Sequence, residues 1–281
     1  MIIAMRTQNA DDANRNYFIA LANTRASLRR LPALAGLIIL ILGIYNVSAL
    51  NRPDSYAGYK VFSALAVVNF VIISACVLAL ALFMFKGLVY RFQTFSSAVM
   101  AAAAAMLVYT LCLLVLMLAT LAHARGQEYY VTLFALIGVT TAVLVVVSTA
   151  AHVSLLRRRL RAGHSDKRTL GNYLAVSRSN RAKIVWIILG VSAVAPIVLT
   201  SGRLLPEVVG GVGLLLFSAV TPSLPVEFAY LAYLKSKDRG YWEPSPQIPR
   251  GDRVRKIRRL GLWVLGIVVV FGVIWVIGKL T

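Results

Sequence analysis

The fold class this sequence predicts is all-α, a polytopic membrane protein built as a bundle of about seven transmembrane helices, and three observations lead there. Hydrophobic residues make up 59% of the 281-residue chain and charged residues only 14%, against about 25% charged in soluble domains. The apolar residues gather in seven runs, each near the roughly 20 residues a spanning helix requires. The runs are continuous, unlike the alternating strands of a membrane barrel, and only helices or closed barrels satisfy the backbone inside lipid.

In chain order the runs fall at about Leu31–Leu50, Val61–Phe85, Ala98–Ala122, Tyr130–Leu156, Ala182–Ser201, Pro206–Pro225 and Leu260–Leu280. Residues 1–30 precede them as a basic, polar segment. There Asn9, Asp11 and Asp12 are suited to cap a helix. Tyr17, Leu21, Thr24 and Leu28 repeat at helical spacing, so an amphipathic helix on the inner membrane surface is expected. Arg29-Arg30 and Val47-Ser48-Ala49 bracket the first run as a long twin-arginine leader would. The run is nevertheless longer than the 7–15-residue core of a signal peptide and suits a span better.

The net charge is +20, and its distribution sets an orientation. Lys and Arg number 5 in the N-terminal segment and 2, 2, 1, 9, 1 and 9 in the six successive loops, with 1 at the C-terminal end. With the N-terminus inside, the cytoplasmic segments hold 25 of the 30. Cytoplasmic loops carry the excess of Lys and Arg, so the expected topology is N-in/C-out. The seven-helix domain, 31–281, then has two large basic cytoplasmic loops at 157–183 and 235–259. The outer loops are short, and Tyr56, Tyr59, Tyr129 and Tyr130 suit the interfacial aromatic belt.

One stretch resists simple classification. "SAVTPSLPVEFAYLAYLKSK", Ser218 to Lys237, continues an apolar run yet holds Pro222, Pro225 and Glu227. A span of about 20 residues from Pro206 ends at Pro225, which places Glu227 at the cytoplasmic boundary. Prolines end or kink a helix there, and Phe228, Tyr230 and Tyr233 then read as an interfacial turn. Alternatively the helix continues, broken, to Leu234, with Thr221 and Ser223 bonding the freed backbone groups. Glu227 is then an intramembrane carboxylate needing a partner, expected from Arg157, Arg181 or Lys183. Glu227, Pro222 and Pro225, with Pro196 as a second flexible point, form the coupling or gating candidate.

Other features have modest readings. Nine positive charges in each of the two large inner loops exceed what orientation needs. Arg157, Arg158, Arg159 and Arg161, with Arg253, Arg255, Lys256, Arg258 and Arg259, are candidates for binding anionic lipids. No nucleic-acid-binding module accompanies these charges. Small residues at Ala101–Ala105, and at Gly210, Gly211 and Gly213, permit close helix approach. Leu170, Tyr173, Leu174 and Ser177 share a weak helical face, and "GYWEPSPQIP" favours an extended stretch. Cys76 and Cys112, mid-span, read as packing residues.

Catalytic patterns are sparse. There is no H-E-x-x-H or P-loop pattern and no metal-ligand spacing, so no metal, cofactor or catalytic residue is expected. Gly190-Val191-Ser192-Ala193 places a serine in the fifth run, but no histidine lies in the sixth or seventh to act as its base. His123, His152 and His164 read as interfacial or loop residues. Lys279 ends the last run instead of sitting mid-helix, where a Schiff-base lysine belongs.

The expectation is a non-enzymatic accessory or assembly subunit of a membrane complex, multi-pass in the plasma membrane (the cytoplasmic membrane for a bacterial chain). Its partners would be the bilayer with its anionic lipids, and a membrane protein or a second copy as a homodimer. The alternative is a small secondary transporter or permease with Glu227 as its coupling residue.

Overall fold

The computed structural model describes residues 2–50, 59–83, 85–120, 129–165, 168–169 and 205–245. Eight α-helices carry them: α1 (Ile2–Asn23), α2 (Leu31–Leu50), α3 (Tyr59–Phe83), α4 (Lys86–Arg91), α5 (Gln93–Thr120), α6 (Tyr129–Ala162), α7 (Leu205–Val220) and α8 (Ser223–Lys237). Two short 3-10 turns, Leu28–Arg30 and Arg239–Tyr241, complete the list, and no strand occurs among the described residues. Among the described residues, five stretches are long and apolar enough to cross a membrane: Ala10–Val47, Ala64–Phe83, Gln93–Leu114, Ala135–Ala162 and Gly211–Lys237. The predicted runs at Ala182–Ser201 and Leu260–Leu280 lie outside the described residues.

Helix α5 is the hub, packing against α2, α6, α7 and α8. Its alanines do what small residues do in bundles: Ala101, Ala103 and Ala104 are buried in the core with Met100 and Val108, and their size permits close helix approach. The glycines of α7 behave otherwise at Gly211, where an added Cβ would meet open space. α2 also pairs with α3, and Ile38, Ile39, Leu42 and Ala66 of these helices are buried in the core. Large apolar side chains remain exposed along α3 and α6, among them Val67, Val71, Leu78, Val139, Val143 and Val146. In water such faces would be a heavy liability; in lipid they are the natural exterior.

The N-terminal segment departs from expectation. α1 runs unbroken through Asn9, Asp11 and Asp12, so these residues lie inside the helix and do not cap it. Only Tyr17 and Leu21 of the predicted stripe lie on α1; Thr24 falls in the turn after it and Leu28 in the following 3-10 turn, and Tyr17, Leu21 and Leu28 are fully buried by protein. α1 packs across the end of α6, so its stripe covers the bundle instead of facing headgroups. Asn14 fixes the crossing, its Nδ2 donating to the Leu160 carbonyl at 2.8 Å. That carbonyl belongs to the last turn of α6, where the helix offers it no partner of its own.

The proline-containing stretch remains helical beyond a break. α7 ends at Val220 and α8 begins at Ser223. Pro222 sits at the N-cap position with φ −60°, and Pro225 lies in the first turn, where a missing N–H costs little. The reading in which the helix terminates near Pro225 is thereby corrected: α8 carries Glu227, Phe228, Tyr230 and Tyr233 onward to Lys237. Freed carbonyls at the break find partners. Ser223 Oγ donates to Val220 O at 2.8 Å, as the broken-helix reading requires, while Thr221 Oγ1 donates to Phe217 O, which still accepts from the Thr221 amide. Across from α6, Ser148 Oγ and His152 Nε2 both donate to Ala219 O at 2.9 Å. A carbonyl only accepts, so His152 carries its proton on Nε2.

Candidate functional site

Glu227 is 5% exposed and sits where α1, α6, α8 and the segment after α6 converge. Tyr17 Oη donates to its Oε2 at 2.8 Å, and Arg168 Nη2 donates to its Oε1. Arg25 and Arg159 stand at 3.6 and 4.0 Å from its two oxygens. A buried carboxylate is tolerable only with opposite charge and hydrogen bonds around it, and Glu227 has both. Of the expected partners, Arg157 is not among them; it points into a different crevice. Arg181 and Lys183 lie outside the described residues.

The turn after α6 is shaped to complete this cluster. Gly163 adopts φ +79°, the left-handed conformation that commonly ends a helix and favours glycine. An added Cβ would come within 3.1 Å of the Ala10 backbone. The reversal delivers His164 under α1. Its backbone N–H and ring Nδ1 meet Asn14 Oδ1 at 3.2 and 2.6 Å, and its ring stacks on Tyr17 with centroids 3.9 Å apart. Since Asn14 Oδ1 accepts, Nδ1 bears the proton and Nε2 is a lone-pair acceptor. Nε2 is buried and has no hydrogen-bond partner among the described residues. Burial, then the charges of Arg168 and Arg159, push the imidazole down from the usual 6.5 to about 4. His164 is neutral at physiological pH.

A second buried ion pair lies at the same end. Lys235 Nζ donates to Glu243 Oε1 at 3.0 Å, with both side chains at 4% exposure or less. Ser27 Oγ donates to Glu243 Oε2 at 2.8 Å, and the Leu28 amide donates to both carboxylate oxygens at 3.1 Å. Trp242 Nε1 and Thr94 Oγ1 both donate to the Lys235 carbonyl. Thus "GYWEP" does not hang free: Glu243 ties it to the start of α2. The N-terminal segment, the residues before α5, the end of α6 and the end of α8 all meet here. They belong to the four segments that hold the excess of positive charge.

Arg157, Arg158 and Arg161 are exposed, whereas Arg159 turns inward to Glu227. Pro196, Arg253, Arg255, Lys256, Arg258 and Arg259 lie outside the described residues, as does the stripe Leu170–Ser177. Beside the proline break, a crevice of about 690 Å³ opens between α5, α6 and α8, lined by Val145, Val153, Leu156, Pro222, Pro225 and Tyr230, with Arg157 also on its wall. No group of three or more His, Cys, Asp or Glu residues suited to a metal ion occurs among the described residues.

A polar site that composition hides lies deeper in the bundle. Asn69, fully buried, donates through Nδ2 to Asn46 Oδ1 at 3.1 Å and accepts from Tyr109 Oη at 2.9 Å. It joins α2, α3 and α5. An asparagine in each of two apolar runs was the available signal, since polar side chains bond across membrane helices.

Apolar helices with lipid-facing exteriors and a charged, self-paired end define a multi-pass α-helical membrane protein. No protein-family model, no curated protein and no solved structure matches the chain.

Proposed function

We propose that this chain is a seven-span protein of the plasma membrane, with its basic end in the cytoplasm, that serves as a non-enzymatic accessory or assembly subunit of a membrane complex. The orientation rests on the clustering of Lys and Arg in the segments that meet at one end. A crossing at the fifth run, Ala182–Ser201, is supported by parity; the seventh, Leu260–Leu280, rests on its apolar length. His152 meets Ala219, and seven residues on Arg159 meets Glu227, eight residues further along the partner. α6 and the α7–α8 pair therefore run in the same direction, which requires the chain to return between them.

The observation that carries the accessory role is the self-pairing of Glu227 and Glu243. Each carboxylate is held by cations of the same chain, tying the N-terminal helix and the segment after α8 into a fixed basic platform suited to docking. Native mass spectrometry after gentle extraction tests this: a stoichiometric protein partner is expected. A lone chain or homodimer retaining a small molecule overturns it.

The second reading, a small secondary transporter, is favoured by the crevice beside the Pro222–Pro225 break. It predicts that Glu227→Gln abolishes uptake or efflux while the protein stays folded. Unchanged transport removes Glu227 from that role.

A further inference from the structure

We propose that Arg159 and Arg168, with His164 beside them, form a binding site for a phosphate monoester at the basic end of the bundle. This goes beyond the choice between subunit and transporter and holds under either.

The argument begins with charge. Among the described residues, Glu227 is the one carboxylate paired with Arg159 and Arg168, and Arg25 approaches it as well. One negative charge cannot balance two half-buried guanidiniums, and an unbalanced buried charge is costly. Arg159 stands 4.0 Å from Glu227, outside hydrogen-bond range, so its planar fork of donors is not taken up by that carboxylate. Its side chain is 36% exposed and that of Arg168 27%; a ligand can reach both. Arg168 Nε is itself buried without a partner among the described residues. Guanidinium forks match phosphate oxygens in geometry as well as charge.

His164 narrows the ligand class. Its ring is 4% exposed and its Nε2 acceptor is unpartnered. A carboxylate or a phosphate diester offers oxygens to the arginines but no proton to this nitrogen. A phosphate monoester, whose second ionisation lies near pH 6, does both. One proton is shared between phosphate and imidazole, as O–H to Nε2 or as Nε2–H to oxygen, and no bond to phosphorus changes. Among the described residues, the charged and titratable groups around His164 are Arg159 from α6, Arg168 and Tyr17 from α1, with Glu227 from α8 bonded to Tyr17. Burial first, and then the two arginines, hold the ring neutral in the empty site; a bound dianion reverses the sign of the arginines' field.

The chain has three histidines, so ring resonances of histidine-labelled protein assign by single substitution. The probe is inorganic phosphate titrated into the full chain in detergent. The expected result is a saturable shift confined to His164, with its midpoint rising from about 4 by about 1–3 pH units as an opposite charge arrives. Arg159→Lys should weaken phosphate at least about tenfold, since the charge stays but the fork is lost. Nanodiscs containing phosphatidic acid, compared with phosphatidylcholine alone, separate the sources. A His164 shift produced by phosphatidic acid and not displaced by phosphate assigns the site to a lipid headgroup. A shift with phosphate alone assigns it to a soluble monoester. No response of His164 to either probe, or an equal response in Arg159→Lys, overturns the proposal, and the wild-type titration decides even where a variant fails to fold.

Discussion

Gln93 and Glu243, 150 residues apart, exchange two hydrogen bonds. Gln93 Nε2 donates to the Glu243 carbonyl at 2.7 Å, and the Glu243 amide donates to Gln93 Oε1 at 2.8 Å. A side-chain amide thus pairs with a backbone as a neighbouring strand would, at the foot of α5. The pair positions the Glu243 carboxylate over Lys235.

Breaking that ion pair from one side leaves a buried lysine with no counter-charge. Glu243→Gln is therefore expected to cost about 3–5 kcal/mol, the usual penalty for orphaning one member of a buried pair. The double variant Lys235→Met/Glu243→Leu should recover much of the loss, because no charge then needs to be desolvated. Thermal unfolding in detergent reads both. A single variant as stable as the parent would show that water reaches Lys235.

Stability should fall on acidification through the range set by His164. Its folded value is depressed, from 6.5 to about 4, so between those limits the unfolded chain binds a proton that the folded chain does not. The unfolded state binding more protons means stability rises with pH. The contribution is complete above about 6.5 and is lost progressively down to about 4. His164→Gln should flatten this part of the profile, measured as melting temperature against pH; an unchanged slope would assign it to other groups.

Asn69→Leu removes both bonds that join α2, α3 and α5, strands Tyr109 in the bundle interior and leaves Asn46 its long 3.4 Å bond to the Ala66 carbonyl. Interhelical polar contacts in membranes are modest, so the expected loss is about 1–2 kcal/mol. Reversible unfolding in mixed micelles gives the value. A neutral result would mean that the remaining pair finds each other or water.

What the sequence disclosed divides along physical lines. The first run matches α2 residue for residue, because a bilayer's thickness fixes the length of an apolar run and little else does. α6 continues to Ala162, past the expected Leu156, because "RRRLRA" is too polar to be read as membrane yet consists of good helix formers. Hydropathy marks where apolar solvent ends, and a helix need not stop there. The prolines misled for a related reason: at the N-cap and in the first turn of α8 they begin a helix as well as end one. Glu227 stands out from the sequence alone, but none of its observed partners does so as a partner: Arg159 reads there as a lipid contact, Arg168 carries no reading, and the remaining two are Tyr17 and Arg25. They belong to a segment whose stripe and charge were equally consistent with lying on lipid, and only tertiary contact distinguishes the two.

The bond between Tyr17 and Glu227 spans 210 residues of chain. At about 5–20 residues per second, synthesis needs about 10–40 s to bring the second residue out after the first. During that interval α1 and the turn after it have emerged with Tyr17 and Ser27 lacking the carboxylates that will hold them. The order of manufacture thus runs opposite to the order of attachment: the first helix made is among the last to be secured. Truncation after His164 but before Glu227 would leave α1 with its Asn14 contacts to Leu160 and His164 and deprive Tyr17 of its carboxylate.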